Sequence, residues 1–189
     1  MTHEQIFSDI YRRKLWGDGS GGGGRPEVAK PWAELVSRII REENVKTVLD
    51  IGCGDGWAAS HIDLNGAQYI GMDVALEMVE FCRANHPWGL FAWGNAVAAL
   101  SAPADLVLLK EVTQHLGDSD ADTLLARLYY YPLVLHSSCI TGPADAPMIT
   151  GGYRPVILSE SPWSLKTERL LEWTVGDSSY IAELWRPRG

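Results

Sequence analysis

The chain has few cysteines and no long apolar run. Its 189 residues include three cysteines, Cys53, Cys82 and Cys139, an odd number without a C-x-x-C pair, which argues against a disulfide framework and a zinc cluster. No stretch approaches the roughly 18 to 20 apolar residues of a membrane-spanning helix, and the N-terminus lacks the apolar core of a signal peptide. We therefore expect a cytoplasmic protein without a membrane partner and without a metal site.

Positive charge is also scarce. Sixteen Lys and Arg residues stand against 24 Asp and Glu residues, which gives a net charge of -8. Because no segment concentrates the basic residues, the sequence argues against duplex nucleic acid as a partner. A length of 189 residues indicates one domain with an appendage. We predict an N-terminal helix with a glycine-rich lid or linker over residues 1–30 and the main domain over 31–189, in a monomer or homodimer.

Short apolar runs alternate with helical patterns along most of the chain, as expected for parallel strands joined by crossovers. Two final runs are joined by four residues, too few for a crossover, and so predict an antiparallel hairpin. The sequence therefore predicts the α/β class: a Rossmann-like, doubly wound sheet of seven strands, mostly parallel, with a C-terminal antiparallel hairpin. The predicted strands are 45–51, 68–73, 90–93, 105–110, 133–136, 168–174 and 179–185, and the predicted main-domain helices are 31–40, 58–65, 75–85 and 119–130.

A glycine-rich turn follows the first predicted strand, in the segment VLDIGCGDGW over residues 48–57. Such a turn, opening a helix, lets backbone amides approach a ligand, although it is equally compatible with a tight connection. Asp73 ends the next strand, where a carboxylate can accept hydrogen bonds from both hydroxyls of a ribose or cap the helix ahead of Ala75. The dinucleotide fingerprint needs glycine at position 57, where this chain has Trp57. This spacing disfavours an NAD-dependent oxidoreductase.

The G-x-G-x-G segment resembles the first motif of class I S-adenosylmethionine-dependent methyltransferases, in particular small bacterial or phage-type members. The resemblance extends over residues 45–185 and includes the terminal hairpin. It implies S-adenosylmethionine as cofactor and S-adenosylhomocysteine as product. Asp73 would bind the ribose, and Asn95 would bind the adenine amino group or simply end a strand. The implied cofactor-binding residues are Asp50, Gly52, Cys53, Gly54, Gly56, Met72, Asp73, Val74, Asn95, Ala96 and Lys110.

Residues 104–116 are similar to the fourth motif of the same family. Polar residues there leave the carboxyl end of a central strand, where open α/β sheets bind ligands. Glu111 and His115 are candidate catalytic bases if the acceptor is a hydroxyl, and Gln114 is a candidate substrate contact. A surface ion pair between Lys110 and Glu111, or a helix cap at His115, are the structural alternatives.

Two flanking segments supply candidate lid or substrate residues. Residues 11–24 have the composition of a flexible linker, but some family members carry a similar segment as a lid. Tyr11 and Trp16 are our lid candidates. A lid role for Ser20 is left open, because the polyglycine lacks the later serine that the family's lid segment carries. In the second flank, a Pro- and Gly-rich insertion over 141–152 leads to Tyr153 and Arg154. Arg154 can bind an anionic substrate group or serve as an exposed structural arginine.

Together these features predict methyl transfer from S-adenosylmethionine to an oxygen or nitrogen of a small-molecule acceptor. One alternative is methylation of a nucleotide or nucleic-acid base, although the Asn/Asp-Pro-Pro-aromatic motif of many DNA-methylating enzymes is replaced by Lys-Glu-Val-Thr over residues 110–113. The other is a non-catalytic nucleoside-binding module of the same fold.

Overall fold

A seven-stranded sheet forms the centre of the molecule. The computed structural model describes residues 1–143 and 148–188, so part of the predicted 141–152 insertion lies outside the described residues. The strand order is β3-β2-β1-β4-β5-β7-β6. The strands are β1 Thr47–Ile51, β2 Gln68–Asp73, β3 Leu90–Trp93, β4 Leu106–Lys110, β5 Leu133–Cys139, β6 Thr167–Val175 and β7 Ser178–Trp185, and the α-helices are α1 His3–Arg12, α2 Pro26–Glu42, α3 Leu76–Asn85 and α4 Asp118–Leu128.

Strands β1 to β5 pair in parallel, whereas β7 pairs antiparallel with both β5 and β6. This arrangement confirms the predicted fold class, including the C-terminal hairpin. Because the order reverses beside β1, the carboxyl ends of β1 and β4 open at one edge of the sheet, where ligands bind in open α/β sheets. Within the described residues, no helix has both the length and the apolarity to cross a membrane.

Alternate residues of the central strands bury opposite faces of the sheet. Leu106 and Leu108 of β4 pack in the core cluster under α2, which contributes Trp32 among others. Val107 and Leu109 face the second cluster, which includes Leu124 of α4. All four β4 residues have no exposed surface, and burial of each side chain contributes roughly 1.5–3 kcal/mol. These two layers fix the strand ends that carry the site.

Helix α2 begins five residues earlier than predicted. Pro26 occupies its first turn, where a missing N–H costs nothing, and Pro31 lies inside the helix. The helix extends toward the N-terminus because Val28 and Ala29 continue its buried face. The predicted domain boundary at residue 31 therefore falls within α2. Proline favours the first turn of a helix, but here Pro26 and not Pro31 occupies that turn.

The predicted helix over 58–65 is wrong. A single 3-10 turn, Ala59–His61, replaces it. Asp63 accepts a hydrogen bond from the Asn65 amide at 3.0 Å, and Asn65 and Gly66 adopt left-handed conformations, so this segment ends in a turn instead of continuing a helix. The glycine-rich turn consequently does not open an α-helix, as the sequence predicted, and any ligand there would face its backbone amides alone.

Candidate active site

A cavity of about 330 Å³ lies at the carboxyl ends of β1, β2 and β4. Its floor is formed by residues of these strand ends and the loops that follow them. The N-terminal segment lies on the opposite side of the cavity, where His3, Tyr11 and Trp16 contribute to its wall. The glycine-rich loop, the end of β2 and the end of β4 therefore line one cavity.

The glycine-rich loop is held against the end of β2 by a buried carboxylate. Asp73 accepts hydrogen bonds from the amides of Gly54 and Ala75, each at 2.9 Å. Burial raises the pKa of Asp73 to about 6, although these amides oppose the rise. Gly52 has a φ of +72°, and a Cβ there would lie 2.6 Å from a Val112 methyl group. The close loop therefore requires glycine, and Asp73 both organises the loop and lines the cavity.

Asp50 places a second carboxylate in the cavity floor. Its Oδ2 accepts a hydrogen bond from the Tyr69 hydroxyl at 2.6 Å. Burial raises the pKa of Asp50 to about 7, while the bond from Tyr69 and the charge of Lys110 act in the opposite direction. Burial therefore disfavours the ionised carboxylate, and the Tyr69 hydrogen bond and the Lys110 charge offset this effect only in part.

Asn95 joins the loop after β3 to the N-terminal helix. Its Oδ1 accepts from the Val97 amide at 3.0 Å, so it stabilises the strand-ending turn. Its Nδ2 lies 2.8 Å from Nδ1 of His3, whose Nε2 lies 2.8 Å from Asp120 Oδ2. Asn95 lines the cavity, but its side chain is already bonded within the protein.

Lys110 and Glu111 form an ion pair at the end of β4. Lys110 Nζ donates to Glu111 Oε1 and to the Gly23 carbonyl oxygen, both at 2.7 Å. The pair is largely enclosed, with side-chain exposures of 11% and 13%, and so differs from the surface pair considered as an alternative. Glu111 has a φ of +57°, a strained conformation often found at functional sites.

His115 presents a neutral imidazole to the same cavity. Its Nδ1 lies 2.7 Å from the Gly152 carbonyl oxygen; because a carbonyl only accepts, Nδ1 carries the proton and Nε2 presents its lone pair. Gln114 Nε2 lies 3.3 Å from that nitrogen. Burial lowers the pKa of His115. The first residues of α4 have Gly117 as their cap, so His115 does not serve as the predicted helix cap.

The N-terminal segment packs directly on these groups. Ser20 donates its amide to Asp55 Oδ2 at 3.0 Å, and its hydroxyl accepts the Asp55 amide at 2.9 Å. The Trp16 ring lies over His115, with centroids 4.5 Å apart. Burial of the Tyr11 hydroxyl, together with nearby Asp73, raises the pKa of Tyr11. The segment thus contacts the glycine-rich loop and the residues that follow β4, and Tyr11 lies near enough to Asp73 for that charge to act on it.

A family model described as a methyltransferase domain matches residues 25–129, which is more than half of the chain. The chain belongs to this methyltransferase family. The match confirms the resemblance seen in the sequence, and it covers the glycine-rich loop, Asp73 and the β4 end. No curated protein matches the sequence.

Solved structures show the same fold at low sequence identity. The N-methyltransferase NodS from Bradyrhizobium japonicum WM9, in complex with S-adenosylhomocysteine, has a TM-score of 0.73 and 15% identity, covering 97% of this chain and 100% of that chain. The magnesium protoporphyrin IX methyltransferase ChlM from Synechocystis PCC 6803, with bound S-adenosylmethionine, has a TM-score of 0.64 and 16% identity, covering 98% of each chain. The cyclase SpnF has a TM-score of 0.70 and 16% identity, covering 98% of this chain and 97% of that chain.

Most of the predicted site residues line the cavity of this methyltransferase, and three do not. Gly54 contributes its amide to Asp73 from behind the lining, and Gly56 packs against His86. Arg154 is directed away and donates to Asp118 Oδ1 at 3.1 Å. The predicted residues in the lining are Tyr11, Trp16, Asp50, Gly52, Cys53, Met72, Asp73, Val74, Asn95, Ala96, Lys110, Glu111, Gln114, His115 and Tyr153.

Other lining residues carried no sequence signal that we recognised. His3 reaches the cavity from α1, whose capping box at Thr2 and Gln5 marks the helix start but not its partner. Tyr180 comes from β7 at the far end of the chain. Gly23 was read only as part of a flexible polyglycine; a Cβ there would lie 2.5 Å from Glu111 Oε1. That close approach is the physical reason for glycine at this position.

Proposed function

We propose that this methyltransferase binds S-adenosylmethionine in the cavity and transfers the methyl group to an oxygen or nitrogen of a small-molecule acceptor. One observation carries the proposal: buried Asp73, the glycine-rich loop and the His115 imidazole line a single cavity. The bound cofactor supplies an activated methyl group on a sulfonium. The protein therefore has to hold two reactants in line and exclude water.

The cavity residues fit this cofactor. Asp73 has one carboxylate oxygen on the Gly54 amide and the other on the Ala75 amide, and each retains a lone pair for a ribose hydroxyl. Met72 and Val74 flank it as apolar walls for an adenine ring. NodS and ChlM, which share the fold, were crystallised with S-adenosylhomocysteine and S-adenosylmethionine. These features support the cofactor assignment.

Of the two candidate bases, His115 is favoured. Glu111 Oε1 already accepts a hydrogen bond from Lys110 at 2.7 Å, so this oxygen is occupied within the protein. The Nε2 lone pair of His115 has a single long contact, 3.3 Å to Gln114. We assign proton removal to His115, and to Gln114 the orientation of its ring.

Residues 3–24 act as a lid in this proposal. A linker would leave the polyglycine without fixed partners, whereas Gly23 accepts a hydrogen bond from Lys110 and Ser20 makes two with Asp55. Tyr11 and Trp16 then close the cavity above the reacting groups. Tyr153 adds a wall on the acceptor side, and Arg154 has no substrate role.

Thermal melting with ligands tests the cofactor assignment. S-adenosylmethionine and S-adenosylhomocysteine, at about 100 times their dissociation constants, add about 2.7 kcal/mol, which shifts the melting temperature by roughly 5 to 10 °C. NAD serves as the control ligand and produces no shift. Asp73→Ala removes the shift, whereas Asp177→Ala, at an exposed turn, retains it.

A shift with NAD, or equal shifts in both variants, contradicts the assignment. Cofactor binding without transfer to any acceptor would instead favour a non-catalytic nucleoside-binding role. The cyclase SpnF shows that proteins with this fold include one described by a different reaction. Transfer of a labelled methyl group to any small-molecule acceptor decides between these two outcomes.

A further inference from the structure

One end of the cavity is distinguished by aromatic rings around a carboxylate. We call this the acceptor end and define it by Trp16, Glu111, His115, Tyr153 and Tyr180, all of which line the cavity. The centroids of His115 and Tyr153 lie 6.0 Å apart, and those of His115 and Trp16 lie 4.5 Å apart. Burial raises the pKa values of Tyr153 and Tyr180, and the charge of Glu111 adds a smaller rise to each. Glu111 therefore lies near enough to both tyrosines for its charge to act on them.

Acidic residues outnumber basic residues in the cavity lining. Among residues 1–143 and 148–188, the lining has one Lys or Arg, Lys110, against four Asp or Glu residues, Asp50, Asp55, Asp73 and Glu111, of which Asp50 keeps its proton up to about pH 7. Two of the three Lys110 donors are used on the Gly23 carbonyl and Glu111. Among these lining residues an anionic acceptor would meet no Lys or Arg besides Lys110 and would face the Glu111 carboxylate, which is unfavourable. Arg25 lies outside the lining, near enough to Tyr180 for its charge to act on that hydroxyl.

Arg154, the predicted contact for an anionic substrate group, forms an ion pair outside the cavity. Arg154 lies outside the lining and pairs with Asp118 at 3.1 Å. Aromatic faces and a carboxylate are instead the surroundings that bind ammonium groups, through cation–π and charge attraction. Of the three nucleophile classes common in small molecules, amine, phenol and carboxylate, the acceptor end matches the amine best.

Resting on the proposed function, we infer that the acceptor is a primary or secondary amine on an aromatic skeleton, received as its ammonium form beside Glu111. Glu111 binds the ammonium, and Trp16, Tyr153 and Tyr180 surround the aromatic skeleton. His115 Nε2 takes one N–H proton, which releases the nitrogen lone pair. These roles give the carboxylate and the imidazole separate tasks.

The step balances without a further reactant. The ammonium gives a proton to His115 Nε2, and the amine nitrogen then forms its bond to the methyl carbon. The carbon–sulfur bond breaks and its electron pair stays on sulfur, so the sulfonium charge passes to the methylated nitrogen. The products are a methylammonium and S-adenosylhomocysteine, and His115 returns its proton to solvent when the site opens.

Matched acceptors test the inference. The probes are 2-phenylethylamine, 4-ethylphenol and 3-phenylpropanoate, with benzylamine, 4-methylphenol and phenylacetate as a second set; transfer of a labelled methyl group is measured after cofactor binding is established. We expect kcat/KM for each amine to exceed that for its phenol by about tenfold or more, the effect of one close charge pair. The carboxylates should not be methylated. Faster methylation of a phenol or carboxylate overturns the inference.

The Glu111→Gln variant separates the charge role from a structural one. Loss of the carboxylate and release of Lys110 should lower the amine-to-phenol preference about tenfold or more. A merely structural effect would lower both rates and leave their ratio unchanged. Glu160→Gln, which changes an exposed carboxylate, should keep the wild-type ratio.

The outcomes separate the two proposals. Cofactor binding with no transfer to either amine overturns the amine inference and leaves the cofactor assignment in place. Failure to bind S-adenosylmethionine or S-adenosylhomocysteine overturns the proposed function, and the amine inference falls with it.

Discussion

Replacing Asp50 by asparagine should change how the stability of the protein depends on pH. Burial raises the pKa of Asp50 from 3.8 to about 7 in the folded chain. The unfolded chain therefore releases this proton near pH 3.8, whereas the folded chain keeps it until about pH 7. Between these values the folded state binds more protons, so stability falls as pH rises through this window.

The expected size follows from the pKa difference. At about 1.4 kcal/mol per pKa unit, the difference between 3.8 and about 7 corresponds to about 4 kcal/mol of lost stability between about pH 4 and pH 7. For a domain of this size that is roughly 8 to 16 °C in melting temperature. An asparagine side chain cannot ionise, so the Asp50→Asn variant lacks this loss. Asp73, with its pKa raised to about 6, retains a separate loss in both proteins.

Urea unfolding at a series of pH values between about 4 and 8 measures the effect. As pH rises from about 4 to 7, the unfolding free energy of Asp50→Asn should increase relative to that of wild type. The difference between the two proteins should then level off near pH 8. A constant offset is expected as well, because the new amide group needs a partner that the Tyr69 hydroxyl does not supply. Asp177→Asn, at an exposed turn, is the control. Parallel curves for Asp50→Asn and wild type would refute the reasoning.

Three further predictions concern the lid and the base. Gly23→Ala should weaken S-adenosylhomocysteine binding in titration calorimetry, because its Cβ would lie 2.5 Å from Glu111 Oε1 and would displace the carboxylate that pairs with Lys110. Gly22→Ala, whose Cβ meets no atom within 4 Å, should leave this ion pair and the unfolding free energy unchanged. His115→Gln should lower kcat about 10²- to 10⁴-fold. Burial lowers the pKa of His115 below 6.5, so kcat/KM of the Asp50→Asn variant, which lacks the Asp50 titration near pH 7, should fall only below pH 6.5; an acid limb above that value in this variant would contradict the base role. Trp16→Ala should raise KM for the acceptor and Trp16→Phe should restore it, because the ring covers His115; equal KM values in steady-state assays would argue against a lid.

Much of the sheet could be predicted because its signals are local. The run from Leu106 to Leu109 has no polar alternation, and the structure buries all four residues. The short connection between β6 and β7 leaves room only for a hairpin. The segment 58–65 could not be predicted as a turn, since its outcome depends on one hydrogen bond from the Asn65 amide to the Asp63 side chain and on two left-handed residues.

Cavity residues that follow the predicted strands could be predicted for the same reason, among them Asp73, Glu111 and His115, whereas lining residues from distant segments could not. The glycine-rich loop and Asp73 form a motif within 25 residues of sequence, whereas His3 and Tyr180 come from opposite ends of the chain. Arg154 pairs with Asp118, 36 positions away, and no local pattern announces that partner. Contacts of this kind arise from packing between distant elements.

Hydrogen–deuterium exchange with and without S-adenosylhomocysteine tests the central claim most directly, because it locates the cofactor on the chain. Protection should appear in the glycine-rich loop over residues 52–57, after β2 around Asp73, after β3 around Asn95, and in the lid over residues 3–24. NAD should leave these peptides unchanged. Protection confined to other segments, or no protection at a ligand concentration that saturates binding, would contradict the account.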